Sequence, residues 1–190
     1  MSTTSIMIVG VGGQGSLLAS KLLGKLLTDE GYDVKVSEVH GMSQRGGSVC
    51  TYVKFGEKVY SPIIDEGEAD IILAFEVLEA YRALPFLKKG GKMIVNDQKI
   101  NPMPVITGAA TYPENILEKL AAVADVTSLD ALALAEKAGS AKAVNVVLLG
   151  VLAKNTDIPK EAWLRAVEGT VPPKFLEVNL RAFSLGSELA

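Results

Sequence analysis

The residues best placed to do chemistry lie near the start of the chain. In IMIVGVGGQG, residues 6–15, Gly10, Gly12 and Gly15 have the spacing G-x-G-x-x-G. With a strand before it and a helix after it, this pattern cradles phosphate. In that reading Gly10 permits the tight turn, Gly12 lets a phosphate approach the backbone, and Gly15 allows helix and strand to pack closely. Gly13 and Gln14 complete the turn. Glu38 follows 23 residues after Gly15, close to where a carboxylate receives the ribose hydroxyls of NAD. The rival reading is that the glycines only permit a compact turn in a fold that binds no dinucleotide.

Two features count against a dinucleotide. Gln14 is inserted in the turn beside Gly13, and the chain after Glu38 runs into HGMSQRGG instead of a helix. That loop presents Arg45, a planar fork that is always charged and suits phosphate or carboxylate. Gly41, Gly46 and Gly47 let backbone amides come close to an anion, and Ser43 and Gln44 add neutral hydrogen bonds. An exposed arginine that is merely solvated is the alternative.

Other candidates have plainer readings. His40 has the side-chain type suited to proton transfer near neutrality, but a lone histidine at a strand end is read here as a structural hydrogen-bonder. Cys50, in SVCTYV, reads as a small buried hydrophobe and not as a nucleophile. Asn145 interrupts the apolar AVNVVLLGVL and needs partners. It either satisfies backbone groups of the glycine turn or arginine loop, the favoured reading, or reaches a ligand. Glu76 follows an apolar strand at the end where ligands gather in open α/β sheets, although capping a helix would also explain it.

The elements that must position these residues follow from hydrophobic periodicity. Residues 6–9 read as a buried strand, and the leucines at 17, 18, 22, 23, 26 and 27 as a helix ending near Gly31. Residues 34–36 make a second strand, and residues 48–60 a hairpin that turns at 55–57. Strands are expected at 70–75, 92–95 and 125–127, with a helix after the first of them that ends or kinks at Pro85. Pro102 and Pro104 enforce an extended loop, and Tyr112-Pro113-Glu114 opens a helix reaching Ala122. Residues 129–138, 144–154, 161–167 and 174–185 favour helix. In the last of these, Phe175, Leu176, Val178, Leu180 and Phe183 suit core or subunit contact. The result is an α/β, Rossmann-like layered fold with a largely parallel central sheet, a β-hairpin after the second strand and a helical C-terminal third.

Composition narrows the function classes. The chain has 190 residues, 48% of them hydrophobic, enough for one core and hence a single domain over residues 1–190. A formal charge of -3 gives no basic field for nucleic acid or anionic membrane. One cysteine excludes an internal disulfide and an iron–sulfur cluster built by this chain alone, and one histidine excludes a protein-only zinc site. With neither a secretory signal nor a membrane-length apolar run, the expected location is the cytoplasm.

GVGGQG, EVHGMSQRGGSV, ADIILAFEVLEA and AVNVVLLG, in that order, resemble the small subunit of indolepyruvate ferredoxin oxidoreductase. That subunit is similar to the gamma domain of the wider 2-oxoacid:ferredoxin oxidoreductases, and the resemblance covers nearly the whole chain. It implies oxidative decarboxylation of an arylpyruvate to an acyl-CoA, with electrons passing to ferredoxin. It also implies a large partner subunit that carries thiamine diphosphate and the iron–sulfur clusters. No cofactor is expected on this chain alone, which is implied to help shape the coenzyme A side of the site. The resemblance places residues 42–47 facing the partner and the cleft. Arg45 then has three possible contacts: a coenzyme A phosphate, a substrate carboxylate, or an acidic side chain of the large subunit. Gly10, Gly12, Gly13, Gln14, Gly15, Ser43, Gln44, Arg45, Gly46 and Asn145 are the candidate binding residues. The alternatives are a gamma subunit acting on 2-oxoglutarate, pyruvate or a branched 2-oxoacid, and a stand-alone NAD-binding module. The isolated chain could also pair as a homodimer.

Overall fold

The computed structural model describes residues 3–41 and 46–189. Six strands form one sheet: β1 (Thr4–Val11), β2 (Asp33–His40), β3 (Ser48–Gly56), β4 (Ala69–Ala74), β5 (Leu87–Asn96) and β6 (Asp125–Leu129). The helices are α1 (Ser16–Asp29), α2 (Val77–Ala83), α3 (Met103–Ile106), α4 (Ile116–Ala121), α5 (Ala131–Ala138), α6 (Val144–Ala153), α7 (Lys160–Thr170) and α8 (Leu176–Ser187). The strand order is β2-β3-β1-β4-β5-β6.

Strands β1, β4, β5 and β6 run parallel, as their near-continuous apolar sequences require when both faces are covered. Ile6, Ile8, Ile71 and Leu73 pack on one face against Leu22, Leu23, Leu26 and Leu27 of α1, with α6 and α7 completing the layer. Met7, Val9, Ile72 and Met93 pack on the other, against α2 and α4. Helix α6 is buried almost all round because α8 covers it. Gly150 and Gly186 allow that approach: a Cβ on Gly186 would lie 2.0 Å from the Val147 carbonyl oxygen. Phe183 is fully buried in the same layer, whereas Phe175 is half exposed.

The hairpin is built differently from the sequence expectation. Strand β3 pairs antiparallel with β2 on one side and with β1 on the other, and residues 58–60 are not strand. Thus β2 and β3 are the arms and residues 41–47 are the connection. The turn at residues 55–57 leads instead into an irregular segment held at Asp33, whose carboxylate accepts from the Val59 amide. The expected extended loop at residues 102–106 is the short helix α3, because Pro102 is its N-cap and Pro104 lies in its first turn, where no intrahelical N–H is needed.

Candidate functional site

The glycine turn joins β1 to α1 at the carboxyl end of the sheet, and its glycines divide the work differently from the expectation. Gly10 is still within β1, paired with Val49, and permits close approach: a Cβ there would lie 2.9 Å from both Phe75 Cβ and Gln14 Oε1. The turn itself depends on Gly13 and Gly15, at φ 102° and 86°. Gly15 is the N-cap of α1, and no side chain caps that end. The Leu18 and Ala19 amides donate to Gly15 O, so the Ser16 and Leu17 amides of this 14-residue helix are the ones left for an anion, with the helix dipole in support.

Gln14 turns inward. Its Oε1 accepts from the Val11 amide (2.7 Å), and its Nε2 donates to the Phe75 carbonyl (2.9 Å) and to Gln98 Oε1 (3.2 Å). The side chain thus bridges the ends of β1 and β4, where the helices leave to opposite faces. That switch point is where doubly wound folds seat a nucleotide, and Gln14 fills it. Asn96, fully buried, reinforces the bridge: Nδ2 donates to Phe75 O and Gln98 Oε1, and Oδ1 accepts from the Ala131 amide.

Asn145 follows the favoured reading. Its Nδ2 donates to the Gly15 carbonyl at 3.2 Å, and a Cβ on Gly15 would stand 2.8 Å from that nitrogen. The exit of the 42–47 loop is stitched to the turn: the Gly12 amide donates to Gly47 O (2.9 Å), and the Gly46 amide to Gly12 O (3.5 Å). Gly10, Gly12, Gly13, Gln14, Gly15, Gly46 and Asn145 are therefore gathered at one place. Ser43, Gln44 and Arg45 lie outside the described residues.

Two clefts flank the turn. One of about 420 Å³ lies between Gly12, Gly13, Ser16 and the Glu38 and His40 side of β2. The other, about 500 Å³, lies toward Gln98, Lys142 and Asn145. Because β3 intervenes between β1 and β2, Glu38 is two strands from β1, roughly 10 Å instead of 5. Its carboxylate accepts from Thr51 Oγ1. The NAD geometry expected for Glu38 is thus altered, whereas His40, with Nδ1 3.0 Å from Gly41 O, is a surface hydrogen-bonder.

Glu76 caps α2 by accepting from the Glu79 amide, and its other oxygen accepts from the Ile100 amide and the Tyr112 hydroxyl. Burial, and then the hydrogen bond to Glu76, push the Tyr112 hydroxyl pKa up, so it stays a donor. Glu79 accepts from Ser48 Oγ and pairs with Arg82, fixing the start of β3 just after the loop. Cys50 is half buried. Burial, with the Glu79 charge adding and the Tyr52 hydrogen bond opposing, pushes its thiol up to about 11. Sequence reasoning missed Asn96, Gln98, Glu79 and Lys142, since only tertiary contact distinguishes them from ordinary surface polar residues.

Residues 5–189 match the family described as Pyruvate ferredoxin/flavodoxin oxidoreductase. The chain belongs to that family. It is 44% identical to indolepyruvate oxidoreductase subunit IorB of Thermococcus kodakarensis, a match covering all of this chain and 97% of that one. It is 31% identical to 2-oxoglutarate synthase subunit KorC of Methanothermobacter marburgensis, covering 97% and 95%. Among solved structures, the gamma subunit of keto/oxoacid ferredoxin oxidoreductase from Geobacter sulfurreducens superposes with a TM-score of 0.73 at 26% identity, covering 97% and 96%.

Proposed function

We propose that this chain is the non-thiamine subunit of a 2-oxoacid:ferredoxin oxidoreductase of the indolepyruvate type, working in the cytoplasm with a large partner subunit. The observation that carries this reading is Gln14 in the switch-point crevice, beside the uncapped start of α1 and in a turn whose Gly12 is stitched to Gly46 and Gly47 at the exit of the arginine loop. A dinucleotide loses its usual seat, while an anion-binding edge remains for a ligand completed by another chain. The full-length match to an indolepyruvate oxidoreductase subunit supports the substrate class.

A single cysteine does not fit a cysteine-ligated iron–sulfur cluster as a resident group, and thiamine diphosphate is assigned with the clusters to the partner. That cysteine has a raised thiol pKa, and among the described residues no group of three His, Cys, Asp or Glu side chains could hold a metal ion. Both groups belong to the partner in this reading. This chain's task is positioning. The α1 amides, the backbone of Gly12, Gly13 and Gly15, and the Ser43, Gln44, Arg45 and Gly46 segment would bind a phosphate of coenzyme A. Gly10, Gln14 and Asn145 would hold the turn in shape.

The test is Arg45→Ala in the reconstituted complex. Loss of one charge-assisted hydrogen bond, about 1.5–3 kcal/mol, raises the KM for coenzyme A or the subunit Kd by roughly ten- to a hundredfold. The thermal stability of the isolated chain stays unchanged. If KM, Kd and turnover all match the wild type, the loop has no such role.

A further inference from the structure

Gln14, Asn96 and Gln98 end in primary amides, whose oxygen and nitrogen have nearly the same shape, so the partners alone decide which way each one faces. Here the backbone decides. The Val11 amide can only donate, so the atom 2.7 Å from it is Gln14 Oε1, and Gln14 Nε2 is turned toward Gln98. The Ala131 amide likewise takes Asn96 Oδ1 at 3.0 Å, which turns Asn96 Nδ2 toward Gln98 as well. Both nitrogens are held a second time by the Phe75 carbonyl. Gln98 therefore meets two donors, each 3.2 Å away, and presents its oxygen to them.

The consequence lies at the other atom. The main chain of Gln98 is fully engaged, its amide with Asn96 O and its carbonyl with the Val77 amide. Its Nε2 has no partner among the described residues. That nitrogen is open to solvent, since the buried side-chain nitrogens and oxygens left unpartnered among the described residues are Trp163 Nε1 and Thr170 Oγ1. Gln98 lines the cleft of about 500 Å³ beside Lys142 and Asn145, and Nε2 is the polar atom it has left for it. A chain of amides, oriented at both ends by backbone N–H groups, thus delivers a pair of N–H donors of fixed position to the wall of a cavity.

Charge decides what those donors meet. Lys142 is the one charged residue lining this cleft, and its ammonium group is exposed, with no partner among the described residues. The cleft on the other side of the glycine turn carries the Glu38 carboxylate instead. Gly13 and Gly15 line both clefts, so an anion resting on the turn is attracted to the Lys142 side and repelled from the other. An N–H donor bonds an anionic oxygen more strongly than a neutral one.

We propose that Gln98 is a ligand-contacting residue of the Lys142 cleft, donating Nε2 to an anionic oxygen of either a coenzyme A phosphate or the carboxylate of the 2-oxoacid. This rests on the subunit reading above. It gives the ligand one side of the glycine turn, and it gives Gln98 a task besides closing the switch point.

Gln98→Glu separates the two tasks. The carboxylate keeps an oxygen for Gln14 and Asn96 but replaces the donors in the cleft with a charged acceptor. In the reconstituted complex it raises the KM for the anion bound there by at least about tenfold, the weight of one charge-assisted hydrogen bond. Turnover at saturation stays within about twofold, and the melting temperature of the free chain holds. Lys142→Gln, at an exposed side chain that leaves the amides untouched, raises the same KM by a smaller factor and weakens its dependence on salt. Measuring both KM values names the source: a rise for coenzyme A assigns the phosphate, and a rise for the 2-oxoacid assigns the carboxylate. If the wild-type complex is active and neither KM moves in Gln98→Glu, Gln98 is purely structural, and the contact is overturned while the subunit reading stands. A lowered KM in Glu38→Gln with an unchanged one in Gln98→Glu puts the anion in the other cleft and also overturns it. A wild-type complex inactive on every 2-oxoacid overturns the subunit reading and the contact with it.

Discussion

The two ends of the sheet are held together in opposite ways. At the carboxyl end of the parallel strands, Gln14, Glu76, Glu79, Asn96, Gln98 and Asn145 form buried or half-buried hydrogen bonds that cross between elements far apart in sequence. At the other end, Asp33 pairs with Lys35 and Lys58, Lys54 with Glu68, Lys88 with Asp70, and Lys92 with Asp125, with one side chain of each pair well exposed to solvent. The first arrangement fixes geometry, because a buried polar group left without its partner costs far more than the bond itself contributes. Screened surface pairs fix little. A site whose ligand is completed by another chain needs the first kind of end.

The largest test of this contrast is Asn96→Leu. It leaves the Ala131 amide without its acceptor and removes a donor from the Phe75 carbonyl, for about 3 kcal/mol. That lowers the melting temperature by roughly 6–12 °C in a chain of this size. Gly15→Ala comes next. Its positive φ and the crowding of Asn145 cost about 2 kcal/mol, and the complex should lose coenzyme A affinity as well. A loss of stability alone would mean that the turn is only structural.

Ionisation separates the two ends as well. Burial dominates at Cys50, so its alkylation by iodoacetamide should stay slow at neutral pH and accelerate only as pH approaches about 11. Fast reaction at pH 7 would show that end to be open. Partners dominate at the far end: the Lys35 hydrogen bond holds Asp33 below the ordinary carboxylate range, and the Asp65 amide does so for Glu68. A depressed folded-state pKa stabilises the fold above the unfolded value and is lost as pH falls through the folded one. The small loss in stability that follows acidification below about pH 4 should therefore arise at this end. Smallest of all, Lys88→Ala changes stability by less than about 1 kcal/mol in thermal unfolding, since the pair with Asp70 is exposed.

Local pattern carried much of the architecture. The alternation of apolar runs and helical periods located β1, β4, β6 and the four C-terminal helices to within about three residues, because each buries a face that its sequence already shows, but found only the apolar second half of β5, whose first half holds the exposed Lys88, Lys89 and Gly90. The pairing of β3 was hidden. Strand β2 alternates only weakly, Lys35, Ser37 and His40 among its valines, and Phe55-Gly56 gave a stronger turn signal than the loop that is the real connection. At the site, G-x-G-x-x-G placed the turn correctly, and the polar interruption of AVNVVLLGVL pointed to the bond from Asn145 to that turn, but the motif gave Gly10 the wrong task. A glycine demanded by the side chain of Phe75, 65 residues away, looks in sequence like one demanded by its own turn. Glu76 was visible as a cap, while its hold on Ile100 and Tyr112 depends on contacts that no spacing announces.

The most direct test of the account is a reconstitution of activity. The purified chain is assayed alone, then with its large subunit, thiamine diphosphate, coenzyme A and an arylpyruvate, following ferredoxin reduction. The account predicts no reduction by either chain alone, reduction by the mixture, and a preference for the arylpyruvate over 2-oxoglutarate and pyruvate. Tight NAD binding by this chain alone, with no ferredoxin reduction by the mixture on any 2-oxoacid, would contradict it.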